Sequence, residues 1–493
     1  MNLRRSDLPE GCTVATEFVG RSAELNALRK RLDRIAASGA GTAVTIRGRR
    51  QVGKSRLVQE FCDRSRVPYL YFTATKGASP VESVAAFLAE LRESGLADRE
   101  RVPDSAAGSW PDAFRVLAAA LPESPAVVVL DELPWLAEQD DIFDGALQTA
   151  WDRLLSRRPV LLLLLGSDIH MMERLTAYDR PFFGRADTMV LGPLNPAETA
   201  RATGLAAADA IDAHLVTGGL PGMLRGWPQG TPALAYLESE CADPASPLFS
   251  VPESVLAAEF PAPDHARRVL EAVGEGDRTH AAIAATAGSR QGALPSGTLS
   301  PLLRRLVADK RVLAVEEPLS TAAGKPALYR VADSGLRLYL AATRRAQEQA
   351  RRGRPDAAFK LVERRWSSWR GRAVEPLVRE SLELAALSGA LPWDGVEAVG
   401  GWWNRHFDPE IDVVAADRAP VARRVLATGS ITWLRKPFDR HDLAELVKVS
   451  AQVPGAVPGK TGLAVVSLSG TDLRDGADAV DLVWGPDEVV GAW

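Results

Sequence analysis

Residues Gly48-Arg49-Arg50-Gln51-Val52-Gly53-Lys54-Ser55 satisfy the pattern G-x-x-x-x-G-K-[ST] at every fixed position. The pattern constrains the fold because it works in one context only, a buried strand that enters a glycine-rich turn and leaves it as a helix. Both flanks are present. Ala43-Val44-Thr45-Ile46 reads as a buried parallel strand. Behind the loop, Leu57, Val58 and Phe61 fall on one face of a helix. Glycines let such a loop turn tightly and bring its backbone N–H groups onto phosphates, and the helix N-terminus adds the positive end of its dipole. On this reading Gly48, Arg49, Arg50, Gln51, Val52, Gly53 and Arg56 line a nucleotide. Lys54 reaches the β- and γ-phosphates, and the Ser55 hydroxyl binds Mg²⁺. ATP and Mg²⁺ are therefore the expected cofactors.

Downstream, Ala126-Val127-Val128-Val129-Leu130-Asp131-Glu132 is a run of apolar β-formers ending in two acids, a Walker B pattern. A buried strand would deliver Asp131 to the Mg²⁺ shell at the carboxyl end of a sheet, with Glu132 placed to polarise the attacking water. The leucine-rich run 160–165 reads as another central strand. Ser167 at its tip is either a sensor for the γ-phosphate or the water, or a strand-to-helix N-cap. Helical patterns at 22–35, 81–91, 112–121 and 142–155 alternate with these strands. The alternation predicts an α/β fold with a doubly wound parallel sheet.

Three shorter stretches admit two readings each. Phe18-Val19-Gly20-Arg21 either wraps the adenine, through Val19, Gly20 and Arg21, or is a plain turn. Arg185, behind Pro181-Phe182-Phe183-Gly184, either neutralises phosphate charge, within the subunit or across an interface, or is solvated. Thr217-Gly218-Gly219-Leu220-Pro221-Gly222 forces a fixed bend, so that Pro221 either packs on the base or belongs to an inter-helix turn.

A chain of 493 residues corresponds to about three domains. Its net charge of -4 makes the whole molecule no polycation, so any nucleic-acid contact needs a local patch. Cys12, Cys62 and Cys241 are far apart and without metal-ligand spacing, and they read as reduced thiols of a cytosolic, that is cytoplasmic, protein. No apolar segment follows the arginines at the N-terminus, and the most apolar run is far too short to span a bilayer.

Taken in order, Phe18-Val19-Gly20-Arg21, the phosphate loop, Asp131-Glu132, Gly166-Ser167, Gly184-Arg185 and Gly218-Gly219-Leu220-Pro221 resemble archaeal-type P-loop ATPases of the STAND group, which are related to AAA+ proteins. The resemblance runs from Glu17 to Tyr236. It implies a nucleotide-binding α/β domain with a helical lid, and a switch-like use of ATP in which slow hydrolysis is coupled to conformational change.

Beyond that region, helical patterns at 266–273, 279–287 and 297–309 precede two strands at 312–315 and 327–331. Three helices and a β-hairpin make a winged helix. Its third helix carries Arg304, Arg305 and Lys310, which would either enter the major groove of duplex DNA or belong to a packing module. The basic stretch from Arg344 to Arg354, closed by Pro355, is the best linker or hinge candidate. The last region resembles the C-terminal domain that accompanies these ATPases, which is similar to the PD-(D/E)xK nuclease fold. Glu375 and Asp412 match the first two parts of that motif, but Ser430 and Thr432 stand where its acid and lysine belong. Lys436 lies nearby in sequence. The expected domains are a P-loop ATPase core at 1–194, a helical lid at 195–259, a winged helix at 260–345 and a degenerate nuclease-like α/β domain at 346–493.

The expected function is a nucleotide-controlled switch driven by an ATPase. The alternatives are an ATP-controlled DNA-binding regulator and, disfavoured by Ser430 and Thr432, a nuclease. A homo-oligomer or another protein partner stays open, and no membrane partner is expected.

Overall fold

Strands that are apolar at every position need cover on both faces. The first of two compact units, Met1–Gly192, supplies it. A computed structural model describes residues 18–96, 108–167, 169–175, 177–178, 180, 182–260, 264–288, 292–323, 326–473 and 479–493. Cys12 and Pro181 lie outside the described residues. Helices and strands alternate: α1 (Ser22–Ser38), β1 (Thr42–Arg47), α2 (Lys54–Ser65), β2 (Tyr69–Thr73), α3 (Pro80–Glu93), α4 (Trp110–Ala120), β3 (Ala126–Asp131), α5 (Leu133–Gln139), α6 (Phe143–Arg153), β4 (Val160–Gly166), α7 (Ile169–Leu175) and β5 (Ala186–Val190). The strands form one sheet in the order β2-β3-β4-β1-β5, and every neighbouring pair is parallel. This is the parallel α/β sheet expected from the sequence.

The period-two alternation of strand side chains divides the core into two layers. On one face Val44, Ile46, Val127, Val129, Leu161, Leu163 and Leu165 meet Leu28 and Ile35 of α1 and Val58 and Phe61 of α2. On the other, Val128, Leu130, Leu162 and Leu164 meet Phe87 of α3, Phe114 of α4 and Phe143 of α6. Trp110 stands edge-on to Phe143 there, with ring centroids 5.0 Å apart. Register then fixes where chemistry gathers. Arg47 at the end of β1 lies opposite Gly166 at the end of β4, and Leu130 near the end of β3 lies opposite Leu164. The residues that follow these three adjacent strands emerge together at the carboxyl edge.

The second unit is Pro193–Trp493. It opens with α8 (Pro196–Thr203), α9 (Ala207–Thr217), α10 (Pro221–Arg225), α11 (Ala233–Cys241) and α12 (Pro247–Glu259). Three helices follow, α13 (His265–Glu275), α14 (His280–Thr286) and α15 (Ser296–Ala308), and then an antiparallel hairpin of β6 (Leu313–Glu316) and β7 (Leu328–Val331). Val269, Leu270, Ile283, Leu299, Leu303, Leu306 and Val331 make the core of this module. After α16 (Ser334–Leu338) and a π-helical turn at Tyr339–Thr343 comes α17 (Arg344–Arg351).

That last helix corrects the linker expected from Arg344 to Arg354. Ala346 and Ala350, four residues apart, put a narrow small-residue face into the core. The arginines outside it pair with acids: Arg344 with Glu271 and Glu275, Arg345 with Glu275, and Arg351 with Glu253. A polar composition hid an amphipathic helix.

The chain continues through α18 (Pro355–Leu387), β8 (Ala398–Trp403), β9 (Glu410–Ala416), β10 (Val425–Thr432), β11 (Phe438–Asp439), α19 (Arg440–Ser450), β12 (Gly462–Ser467), β13 (Thr471–Asp472), β14 (Leu482–Trp484) and α20 (Pro486–Gly491). The main sheet runs β14-β12-β10-β9-β8. Its β14, β12 and β10 are parallel, whereas β9 is antiparallel to both neighbours. On one face Val374, Val378 and Leu382 of α18 share a core with Val413, Ala427 and Trp433, and also with Ile211 and Leu215 of α9 and Leu237 of α11. On the other face α19 covers Ile411, Val414 and Val465 with Leu446 and Val449. Among the described residues no helix is long and apolar enough to cross a membrane.

Candidate nucleotide site

The loop after β1 is tight for steric reasons. A Cβ on Gly48 would stand 2.3 Å from the Leu191 carbonyl oxygen, and Gly53 has φ +90°, where side chains strain the backbone. The helix α2 begins at Lys54, with Leu57 N–H bonded to the Gly53 carbonyl at 2.9 Å. Lys54 is buried, and its Nζ donates to the carbonyls of Gly48 (2.8 Å) and Arg49 (3.1 Å). Burial lowers its pKa, against the opposing pull of Glu132 and Asp131, so both acids act on this ammonium. Ser55, Arg50, Gln51 and Arg56 face solvent, and Arg56 pairs with Glu60 at 2.9 Å.

Asp131 and Glu132 stand at the end of β3. The buried Asp131 carboxylate accepts the Glu132 N–H through Oδ1 at 2.9 Å and the Tyr71 hydroxyl through Oδ2 at 2.9 Å. Glu132 adopts φ 56°, and with Arg21 (62°) and Gln51 (67°) it belongs to the few non-glycine residues in the left-handed region. Such a backbone costs about 1–3 kcal/mol and persists where its surroundings hold it. One such hold is visible. Ser167 Oγ donates to the Glu132 carboxylate, at 2.9 Å to Oε2 and 3.1 Å to Oε1. The structure thus joins Lys54, Asp131, Glu132 and Ser167 in one cluster, with Ser55 beside it at the first turn of α2. Tyr71, which sequence reading passed over, is a fifth member. Burial and the adjoining Asp131 charge raise its pKa, so its hydroxyl stays a donor. No motif marks it, because its role depends on β2 lying next to β3.

Other expected site residues have different partners. Arg21 is buried, and its guanidinium donates to the carbonyls of Val52 (3.0 Å) and Gly192 (2.6 Å) and pairs with Glu24 at 3.3 Å. It therefore braces the phosphate loop from behind. Val19 and Gly20, just before it, are partly exposed. Arg185 makes a two-pronged pair with Asp152, at 2.8 and 2.9 Å. Pro221 is the first residue of α10 in the second unit, after the turn in which Leu194 N–H bonds to the Gly219 carbonyl at 2.9 Å.

A buried cation on a glycine loop at a helix N-terminus suits a polyphosphate, and an exposed hydroxyl beside it and an oriented carboxylate across from it are hard oxygen donors suited to Mg²⁺. They define a P-loop nucleotide-binding unit at the carboxyl edge of a parallel sheet. Residues 17–165 match the family described as AAA ATPase domain, which supports a P-loop ATPase in the first unit. Residues 339–426 match a second family, described as archaea bacterial proteins of unknown function. Among solved structures, the chain is similar to a Walker-type ATPase of Pyrococcus abyssi, with 17% identity and TM-score 0.46 over 66% of this chain and 96% of that one. It is also similar to the Aeropyrum pernix ORC2 protein in ADPNP–ADP complexes, with 14% identity and TM-score 0.41 over 72% and 98%. The Pyrobaculum aerophilum Cdc6p gives 14% identity and TM-score 0.33 over 72% and 97%. No curated protein matches the chain.

A second polar cluster lies within the second unit. Asp412 on β9 accepts from Ser430 Oγ (3.2 Å) and Ile431 N–H (2.9 Å). Arg379, one turn after Glu375 on α18, pairs with Glu375 (3.3 Å) and with Glu316 of β6 (3.2 Å), and donates to the Asp412 carbonyl at 2.7 Å. Arg330 of β7 also pairs with Glu316, at 2.5 Å. Burial raises Glu375 to about 7 and raises Asp412 as well, whereas Glu316 is held below its usual range by its arginines despite burial. Lys436 pairs with Asp439 at 2.6 Å, and Thr432 is partly exposed. Neither Arg379 nor Glu316 belongs to any sequence pattern. Next to this cluster the hairpin loop lies on the C-terminal sheet. Leu319 is buried against Ala398 and Trp402 and bonds to the Gly401 carbonyl at 2.8 Å, while Trp403 Nε1 donates to the Pro326 carbonyl at 2.8 Å. On α15, Arg304 and Arg305 are exposed, and Lys310 beyond it pairs with Glu259 at 2.8 Å.

Proposed function

We propose that this chain is an ATP-binding, Mg²⁺-dependent P-loop ATPase that works as a nucleotide-controlled switch. The observation that carries the proposal is the gathering of Lys54, Ser55, Asp131, Glu132 and Ser167 at the carboxyl edge of one parallel sheet. Backbone N–H groups from Gly48 to Ser55 and the Lys54 ammonium bind phosphates. Ser55 and Asp131 hold the metal, which when bound neutralises phosphate charge. Glu132 orients and deprotonates water, and Ser167 sets the position of Glu132. Arg21, with Val19 and Gly20, shapes the nucleotide pocket by fixing the loop, and Arg185 and Pro221 stay candidates for contacts made only in the nucleotide-bound state.

The same reading takes 195–259 as the helical lid of a STAND-like switch, 260–345 as a winged helix and 346–493 as a degenerate nuclease-like scaffold. Switch use is favoured over DNA reading because the hairpin loop is engaged through Leu319 and Pro326 and Lys310 is already paired. A metal-dependent nuclease needs several carboxylates free for a cation and a nearby lysine. Glu375 faces Arg379, Ser430 and Thr432 are neutral, and Lys436 is held by Asp439, which supports a scaffold role.

The test is ATP affinity in the presence of Mg²⁺, by calorimetry. Lys54→Ala removes the charge that matches the phosphates and is expected to abolish binding. Equal affinity in wild type and variant would remove the proposal.

A further inference from the structure

We propose that Tyr71 is the positioning residue of the metal site, acting through its hydrogen bond to Asp131. The proposal rests on the nucleotide reading above and adds a residue to which no motif assigns a role. It starts from strand geometry. Thr73 on β2 lies opposite Asp131 on β3, and Tyr71 lies opposite Val129. Residues two apart share a face, so Tyr71 and Asp131 are diagonal neighbours on the side covered by α2. Tyr69 and Tyr71 edge the apolar layer that contains Val58, Phe61 and Val129. Tyr69 spends its hydroxyl on Gln59, accepting from Nε2 at 3.2 Å. Tyr71, one step closer to the carboxyl edge, instead gives its proton to Asp131 Oδ2 at 2.9 Å.

Asp131 is thereby fixed at both oxygens, Oδ1 by the Glu132 N–H and Oδ2 by the Tyr71 hydroxyl. Each oxygen keeps a further lone pair for a ligand. Ser55, the other residue expected to hold the metal, lies in the first turn of α2 on the same side of the sheet. The phenol therefore touches one of the two side chains expected to hold the metal, Asp131. Outer partners of this kind fix ligand orientation, and losing one typically weakens metal affinity about 10–100-fold.

The experiment measures ATP affinity of the full chain by calorimetry, in excess Mg²⁺ and in EDTA, for wild type, Tyr71→Phe, Asp131→Asn and the double variant. Phenylalanine keeps the ring in the core and removes only the donor, and thermal unfolding checks that each variant folds. The expected result is that Tyr71→Phe weakens ATP binding about tenfold or more in Mg²⁺ and leaves affinity in EDTA unchanged. In the Asp131→Asn background the same substitution is expected to add nothing, because its effect runs through Asp131. A Tyr71→Phe variant with the wild-type gain from Mg²⁺, or with equal losses in Mg²⁺ and EDTA, overturns the inference and leaves the nucleotide reading intact. Tighter Mg²⁺-dependent binding in Tyr71→Phe, or losses that add in the double variant, also overturn it. A wild type that does not bind ATP overturns the nucleotide reading and this inference together.

Discussion

Glu132 shows how much one side chain depends on its neighbours. Its left-handed backbone would be unfavourable alone, and its carboxylate is fixed by Ser167 at 2.9 and 3.1 Å. On the proposed function, Glu132 is a base aimed before substrate arrives. Glu132→Gln keeps the shape and loses the base, so ATP is expected to bind as in wild type while turnover falls about 10²–10⁴-fold. Steady-state phosphate release beside equilibrium nucleotide binding separates the two effects. Unchanged turnover in Glu132→Gln would take the water-orienting role from this residue.

At the scale of elements, α18 and the β6–β7 hairpin are tied through Arg379, Glu316, Arg330 and Glu375. The groups that act on Glu375 are Arg379 and Arg278, which favour its charge, and Asp412 and Glu316, which oppose it. Burial outweighs the arginines and lifts Glu375 from 4.5 to about 7. A carboxyl with a raised folded-state pKa binds its proton more tightly in the native chain. Its contribution to stability is full below its unfolded value and is lost as pH rises through about 7. Glu375→Gln stays neutral throughout. Its melting temperature is expected to fall less steeply than that of wild type between about pH 5 and about pH 8. Parallel melting curves against pH in the two proteins would show that Glu375 is ionised across that range.

For the whole molecule, the question is what the second unit does with α15. A net charge of -4 gives no general attraction to nucleic acid, and the exposed Arg304 and Arg305 form a small patch. The switch reading expects wild type and the Arg304→Ala, Arg305→Ala, Lys310→Ala triple variant to show the same weak, salt-sensitive binding to duplex DNA. A salt slope that drops by roughly 0.9 for each cation removed would instead restore the DNA-reading alternative.

The sequence by itself determined what depends on neighbours along the chain. The glycine loop needs its strand and helix within a few residues, and Ala126 to Leu130 and Val160 to Leu165 are apolar throughout because both faces are covered. Those local rules place Lys54, Ser55, Asp131 and Glu132 with no knowledge of the sheet. What only the tertiary structure decided is strand order and what it brings across. Tyr71 meets Asp131 because β2 flanks β3, and Ser167 meets Glu132 because β4 flanks it on the other side. Arg379 reaches Glu316 across a sequence separation that no period spans. Even α17 was hidden, because two alanines among arginines look polar in one dimension and become a buried face only when α18 lies beside them. Pattern along a chain reports local geometry, whereas a contact between distant residues is a property of packing, and packing is where these side chains acquire their partners.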